Sequence, residues 1–367
     1  YLAEGLFKQG ISVIYLESHP DIKGLASLRM PGFSASELSS LSSLNFDNNP
    51  ELLSALIDLL EISHIHIHSL VDFDAFAGDW IRQACELSKK SYDITAHDYA
   101  WFCPRINMID DSNIFCGGAE LTKCASCVEK NSSNWGRISI SEFVKTNSAL
   151  LSKARKVICP SEDTRDRLIE SMIEVQAEFK PHSCDLIDTT ITNLRPKSSQ
   201  KRRIAILGAI GIHKGSLILE GCLKDATNRN LALEFVVIGF SNNQKKLESY
   251  SNIRFTGPYK DTEAVQLLVE QDCDLCLFPA VWPETFSYTL SIAFNAGVLP
   301  VTFNFGAIAE RIKKIGWGVV LDTDLLTNCA KLNDALLEIE LNKEIPLDSL
   351  KQDFVDYPNL VTDYYNM

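Results

Sequence analysis

The stretch Phe278-Pro279-Ala280-Val281-Trp282-Pro283-Glu284-Thr285-Phe286-Ser287-Tyr288-Thr289 follows the apolar run Asp274 to Phe278 and leads into a helix-like segment, Leu290 to Ala296, closed by Gly297. A buried strand, a polar turn and a helix in that order make one βα unit of a parallel sheet, and such sheets take ligands at the carboxyl ends of their strands. Glu284 therefore stands at the rim of a cleft. From there it can accept hydrogen bonds from hydroxyl groups while the amides of Phe286 and Ser287 face an anion. An acid favoured only by the dipole of the helix it precedes is the plainer reading.

The same unit recurs upstream. Arg203 to Leu207 reads as a strand, Gly208-Ala209-Ile210-Gly211-Ile212-His213-Lys214-Gly215 as a small-residue turn, and Ser216 to Leu223 as a helix. Free amides at a helix start together with Lys214 suit a diphosphate, although glycine-rich turns carrying a surface lysine are common. Further strands are expected at Glu234 to Ile238, Ile253 to Thr256 and Leu299 to Val301. A polar segment, Asp188 to Lys201, reads as a linker. Before it, strands at Ile62 to His68, Tyr92 to Ala96 and Lys156 to Cys159 alternate with helices at Pro50 to Leu60 and Phe76 to Lys90. The expected organisation is two doubly wound Rossmann-like α/β domains facing a cleft, with residues 1–190 and 191–345 as the domains. An aromatic-rich tail, 346–367, is expected to cross back to the first domain as a terminal helix interrupted by Pro358. Tyr1 to Gly10 reads as a helix and Ile11 to Leu16 as a buried strand, so a strand that would normally open the first sheet is expected to be missing.

In the first half, His64, His66 and His68 alternate along one strand and share a face. The spacing admits zinc, but the better expectation is that His68, either alone or together with His66, reaches the acceptor side of the cleft while His64 packs. Cys103, Cys116, Cys124 and Cys127 lie close together in sequence, the last two as CxxC, which suits a structural tetrahedral zinc; two disulfides or free thiols remain alternatives. Arg105 and Asn107 beside them could bind acceptor hydroxyls or a phosphate. Ser161 reads as a helix N-cap before Glu162.

The chain has 367 residues, 46% hydrophobic and 23% charged, enough for two cores. Its formal net charge of −13 disfavours nucleic acid and tight docking on anionic lipid. With no apolar run of membrane-spanning length, the expectation is a cytoplasmic protein whose 11 cysteines are reduced or metal-bound. Cys273 and Cys276 read as core residues.

The succession Lys214-Gly215, Ile253-Arg254-Phe255-Thr256-Gly257, Pro283-Glu284-Thr285-Phe286-Ser287 and Ala293 to Gly297 resembles the donor domain of the retaining family-four glycosyltransferases of the GT-B type. Within them it is most similar to bacterial enzymes of rhamnan, O-antigen and related surface polysaccharides, which also carry a similar cysteine-bearing segment. The resemblance implies a nucleoside-diphosphate sugar as donor and a glycan or lipid-linked acceptor. It also implies peripheral association with the cytoplasmic membrane face, and no cofactor for the chemistry. It implies that Lys214 holds the diphosphate, that Glu284 contacts the transferred sugar, and that Thr285 to Tyr288 close over the phosphates beside Gly211 and His213. The base would lie near Gly257 and Tyr259. The turn Thr95-Ala96-His97-Asp98-Tyr99 is similar to a histidine-bearing turn of the same enzymes, making His97 a contact of the donor sugar, oriented by Asp98. His68, Asp98 and Arg105 are the acceptor-side candidates. Two departures stand out: Ala209 where the family usually has arginine, and Ile292 where it has a second glutamate. An epimerase or inverting transferase of the same architecture, or a binding module without catalysis, are the rival expectations.

Overall fold

A computed structural model describes residues 2–18, 26–30, 49–118, 120–172, 174–184, 201–341 and 344–367. The expected linker, apart from Lys201, lies outside the described residues.

The chain begins with a helix, Leu2–Lys8, ended by Gly10 at φ +78°. The strand expected at Ile11 to Leu16 is instead β1 (Tyr15–Ser18), which pairs antiparallel with β2 (Ala26–Arg29) in a two-stranded hairpin of its own. All four residues of β1 are only half-buried, so the apolar run supplies one packed face and not the two-sided burial of a parallel strand.

The first parallel sheet holds β3 (Ile65–Ile67), β4 (Tyr92–Thr95), β5 (Lys156–Cys159) and β6 (Glu178–Phe179), in chain order. The helix Ala77–Leu87 joins β3 to β4, and Ile140–Lys153 precedes β5. The strand β4 is buried along its whole length, as an interior parallel strand must be.

The second sheet is formed by β7 (Arg202–Ile210), β8 (Leu233–Ser241), β9 (Ile253–Phe255), β10 (Leu275–Phe278), β11 (Leu299–Phe303) and β12 (Val319–Leu321). All its pairs are parallel, in the order β12-β11-β10-β7-β8-β9. This is the doubly wound arrangement, and the order reverses between β7 and β10. Two consecutive connections leave that point in opposite directions, opening a crevice above the strand ends. The turns after β7 and β10 are the two that the sequence singled out.

Those turns are pressed together. Gly215 has φ +85°, and a Cβ on it would come within 2.0 Å of the Pro279 carbonyl oxygen. Val281 N donates to His213 O at 3.0 Å, locking one turn on the other. Glycine at 215 is thus required by the protein's own backbone. Gly215→Ala should cost roughly 3 kcal/mol, from left-handed strain plus displacement of one turn, read as a lower denaturation midpoint at unchanged slope.

The tail is not the interrupted helix expected. A short helix, Leu347–Asp353, is followed by extended chain through Pro358 and a single π-helical turn, Leu360–Tyr364. Pro358 cannot continue a helix, and Asn359 caps the new turn by accepting from Val361 N and Thr362 N. This turn docks on the first sheet. Arg155 Nη2 donates to Tyr365 O at 2.9 Å, Lys180 Nζ donates to Tyr364 O at 2.7 Å, and Tyr364 is almost wholly buried.

Candidate active site

Two strand-end turns build the centre. In the first, Gly211 O accepts from Lys214 N at 3.0 Å and from Ser216 N at 3.1 Å, a tight coil that points Lys214 across the crevice. In the second, Ser287 caps the helix Tyr288–Asn295 by accepting from Leu290 N, which fixes where the turn ends. Between them Lys214 Nζ lies 2.8 Å from Glu284 Oε1. Glu284 is 6% exposed as a side chain and Lys214 32%, so a nearly buried carboxylate faces a half-open ammonium. Glu284 O also accepts from Ala307 N at 2.8 Å. Gly306 lets that loop approach: a Cβ there would stand 2.7 Å from Pro283 Cα. A small pocket borders the pair, lined by Ile210, Lys214, Pro279, Glu284 and Thr289 among others.

The Glu284 turn is held from behind by Arg311, a residue the sequence reading passed over. Its guanidinium donates to Ser287 O and to Ser291 Oγ, both at 2.8 Å, pairs with Asp353, and lies 4.7 Å over the Phe286 ring. Nothing in the local sequence marks it, because its partners come from three separate elements.

From the first half, the turn after β4 meets this centre. Thr285 Oγ1 donates to His97 O at 2.6 Å. His97 Nε2 and His68 Nδ1 share a hydrogen bond of 2.8 Å, with one ring donating and the other accepting. His66 turns away from the cleft to Tyr365 OH at 2.9 Å and Thr95 Oγ1 at 2.8 Å, while His64 faces Asp93 at 3.1 Å. The three alternating histidines therefore face four different neighbours, His97, Tyr365, Thr95 and Asp93. A fourth, His182, completes the array: its ring stacks on His97 at 5.0 Å and on Tyr288 at 6.0 Å, and meets Phe286 edge-on at 5.0 Å. As a lone histidine in a loop, it gave no sequence signal.

The remaining candidates make contacts of their own. Asp98 does not accept from the His97 ring in these contacts; its Oδ1 accepts from Ala100 N at 2.8 Å, closing a local turn, and burial raises its carboxyl above the ordinary range. Short polar side chains bond backbone two residues on more readily than a ring one residue away. Arg105 Nη1 reaches Cys127 Sγ at 3.8 Å, on the helix Leu121–Asn131. Gly257 and Tyr259 follow β9, two strands out from β7; Gly257 N donates to Gly239 O at 3.1 Å, and Tyr259 packs half-buried against the core. Ser161 accepts from Thr164 N as the cap of the helix Glu162–Ser171. The zinc expectation finds no support. Among the described residues, no three His, Cys, Asp or Glu gather closely enough to hold an ion. Cys124 and Cys127 lie three residues apart on a regular helix, Leu121–Asn131. Burial pushes Cys103 up to about 12.

The crevice is bridged at a second place. Glu310 accepts from Glu162 N at 3.0 Å and Asp163 N at 2.7 Å, so a carboxylate of the second half caps a helix of the first. Gly306 N donates to Asp163 Oδ1 at 3.3 Å beside it.

Burial holds the imidazoles uncharged: His97 falls to about 3 and His182 to about 4, each also opposed by a neighbouring histidine. An unfolded chain binds protons at these sites from about pH 6.5 downward, while the folded one resists until lower pH. Stability from this array is thus fully present above pH 6.5 and is lost as pH falls toward 4. The melting temperature should be flat from pH 7 to 8 and fall progressively below 6.5; His182→Phe should flatten that limb, and an unchanged limb would contradict the assignment.

No protein-family model and no curated protein matches the sequence. Solved structures do match in shape. Anabaena HepE in complex with UDP and glucose aligns over 88% of this chain and 80% of its own, at 14% identity and a TM-score of 0.54. The apo lipopolysaccharide outer core galactosyltransferase WaaB aligns over 91% and 82%, at 13% identity and 0.54. Sucrose-phosphate synthase from Thermosynechococcus elongatus aligns over 96% and 87%, at 13% identity and 0.58. The chain has the GT-B fold of these glycosyltransferases. Among the described residues, no helix is long and apolar enough to cross a membrane.

Proposed function

We propose that the protein is a glycosyltransferase that moves a sugar from a nucleoside diphosphate to a glycan or lipid-linked acceptor. The observation that carries this is the 2.8 Å approach of Lys214 to Glu284 at the point where the second sheet reverses its order. A cation and a carboxylate so placed address the two ends of a sugar diphosphate. Lys214 takes the phosphates and Glu284 the hydroxyls of the transferred sugar. Uridine diphosphate is the leading donor scaffold, since HepE was solved with UDP and with UDP-glucose.

In this reading, charge developing on the departing diphosphate is stabilised by Lys214 and by the amides at the start of the helices Ser216–Asn228 and Tyr288–Asn295. Thr285, Phe286, Ser287 and Tyr288 form the wall around the phosphates, with Gly211 and His213 on the other side. His97 faces the sugar from the first half, held by the Thr285 bond to its carbonyl and by His68 at its ring. His182 forms the side wall between them. With Ala209 and Ile292 in place of charged residues, one cation carries the phosphate contact. Retention of anomeric configuration and a role in bacterial surface polysaccharide synthesis at the cytoplasmic face extend the sequence resemblance, and His68 and Arg105 remain the acceptor-side candidates.

The test is binding of UDP-, GDP- and dTDP-sugars by thermal shift, followed by NMR of the product anomer. A donor that raises the melting temperature and is consumed with retention supports the reading. Absence of binding by every nucleotide sugar would leave a module without transferase activity; an inverted anomer would change the reaction class.

A further inference from the structure

The helix Ser216–Asn228 carries a glycine at its centre, Gly221, where alanine would favour the helix by about 1 kcal/mol. A methyl group there would stand 2.4 Å from Cys329 Sγ. The glycine makes room for that sulfur. Cys329 is the first residue of the helix Cys329–Glu338, whose cap Asn328 accepts from Lys331 N. Its sulfur also donates to Ile218 O at 3.7 Å, one helical turn before Cys222, the neighbour of Gly221. Asn333, one turn along, donates to Cys222 O at 2.9 Å and to Asp225 at 2.8 Å, so the two helices cannot slide apart.

The two thiols differ in what they can do. Cys222 is fully buried, whereas Cys329 is partly exposed at a helix start, where the dipole favours a thiolate. The adjacent Cys222 thiol holds the Cys329 thiol below its ordinary value, against burial and the nearby Asp225 carboxylate. Burial pushes Cys85, Cys103, Cys159 and Cys276 the other way. One accessible, activated thiol beside one enclosed thiol is the arrangement of an attacking and a resolving cysteine.

We propose that Cys329 is a thiol-modification site resolved by Cys222, the pair closing to a disulfide that staples the two helices. The co-reactant is a small disulfide such as oxidised glutathione. The Cys329 thiolate attacks one of its sulfurs; the glutathione S–S bond breaks, one glutathione thiolate leaves, and a mixed disulfide remains on Cys329. The Cys222 thiol attacks the Cys329 sulfur and expels the second glutathione thiolate, which takes up the Cys222 proton. Two protein thiols are oxidised and one glutathione disulfide is reduced to two thiols. This inference stands apart from the donor site.

The experiment treats the folded full chain with oxidised glutathione, alkylates the remaining thiols and maps peptides by mass spectrometry. The wild type should yield a Cys222–Cys329 cross-link, formed about tenfold faster than any other modification. Cys222→Ser should accumulate glutathione on Cys329, with Cys222→Ala as the substitute should serine not fold, and Cys329→Ser should leave Cys222 alkylated. Oxidation confined to Cys103, Cys116, Cys124 or Cys127, or a Cys222 adduct forming as fast without Cys329, would overturn the assignment.

Discussion

Glu284→Gln is expected to lower sugar transfer by about 10²- to 10³-fold while UDP alone binds as well as before, or up to about tenfold more tightly. Lys214 is engaged by Glu284 at 2.8 Å, and that carboxylate is almost wholly withdrawn from water. A diphosphate must compete for the ammonium. Glutamine keeps the shape and one acceptor oxygen but removes the competing charge, so the phosphates gain what the carboxylate lost. The transferred sugar loses a charged acceptor, and bonds to charged groups are worth about 1.5–3 kcal/mol. Lys214→Met should do the opposite, weakening UDP by about 10- to 100-fold because no arginine at 209 is present to compensate. Calorimetry with UDP and turnover of the UDP-sugar separate the two. Parallel losses of UDP affinity in both variants would mean that Glu284 supports the turn and does not face the sugar.

Why these two residues were readable while their surroundings were not follows from the range of the interactions. Lys214 and Glu284 sit in strand-to-helix turns, and such turns announce themselves locally through small residues, a polar break and a helix start. The strands β5, β7 and β10 were legible for the same reason, as unbroken apolar runs. The first strand was placed too early because Ile11 to Ile14 look like a buried run, and only the partner β2 shows that pairing begins at Tyr15. The pairing of His68 with His97 joins positions 29 residues apart, and the Arg311 contacts join four elements. Neither leaves a periodic trace. The cysteines carry a different ambiguity: CxxC is also one turn of an ordinary helix, and spacing alone does not distinguish a knuckle from a helix face.

Arg311→Met should cost about 3–5 kcal/mol of stability, the largest loss expected from any single change near the site. Arg311 and Asp353 are each 6% exposed as side chains, and their nitrogen and oxygen approach to 2.6 Å. Deleting the cation leaves Asp353 buried without its partner, at the end of the helix Leu347–Asp353 that begins the return toward the first sheet. It also frees the Ser287 carbonyl and the Ser291 hydroxyl, so the turn carrying Glu284 loses its backing together with the stability. Two effects can be separated by a second change. Arg311→Met combined with Asp353→Leu removes both charges, and apolar replacements of a buried pair are often close to neutral, so most of the stability should return. Activity should not return with it, because the Ser287 carbonyl still lacks its donor. Recovery of both in the double variant would show that Arg311 serves only the ion pair; recovery of neither would place its stabilising role in the Ser287 and Ser291 bonds.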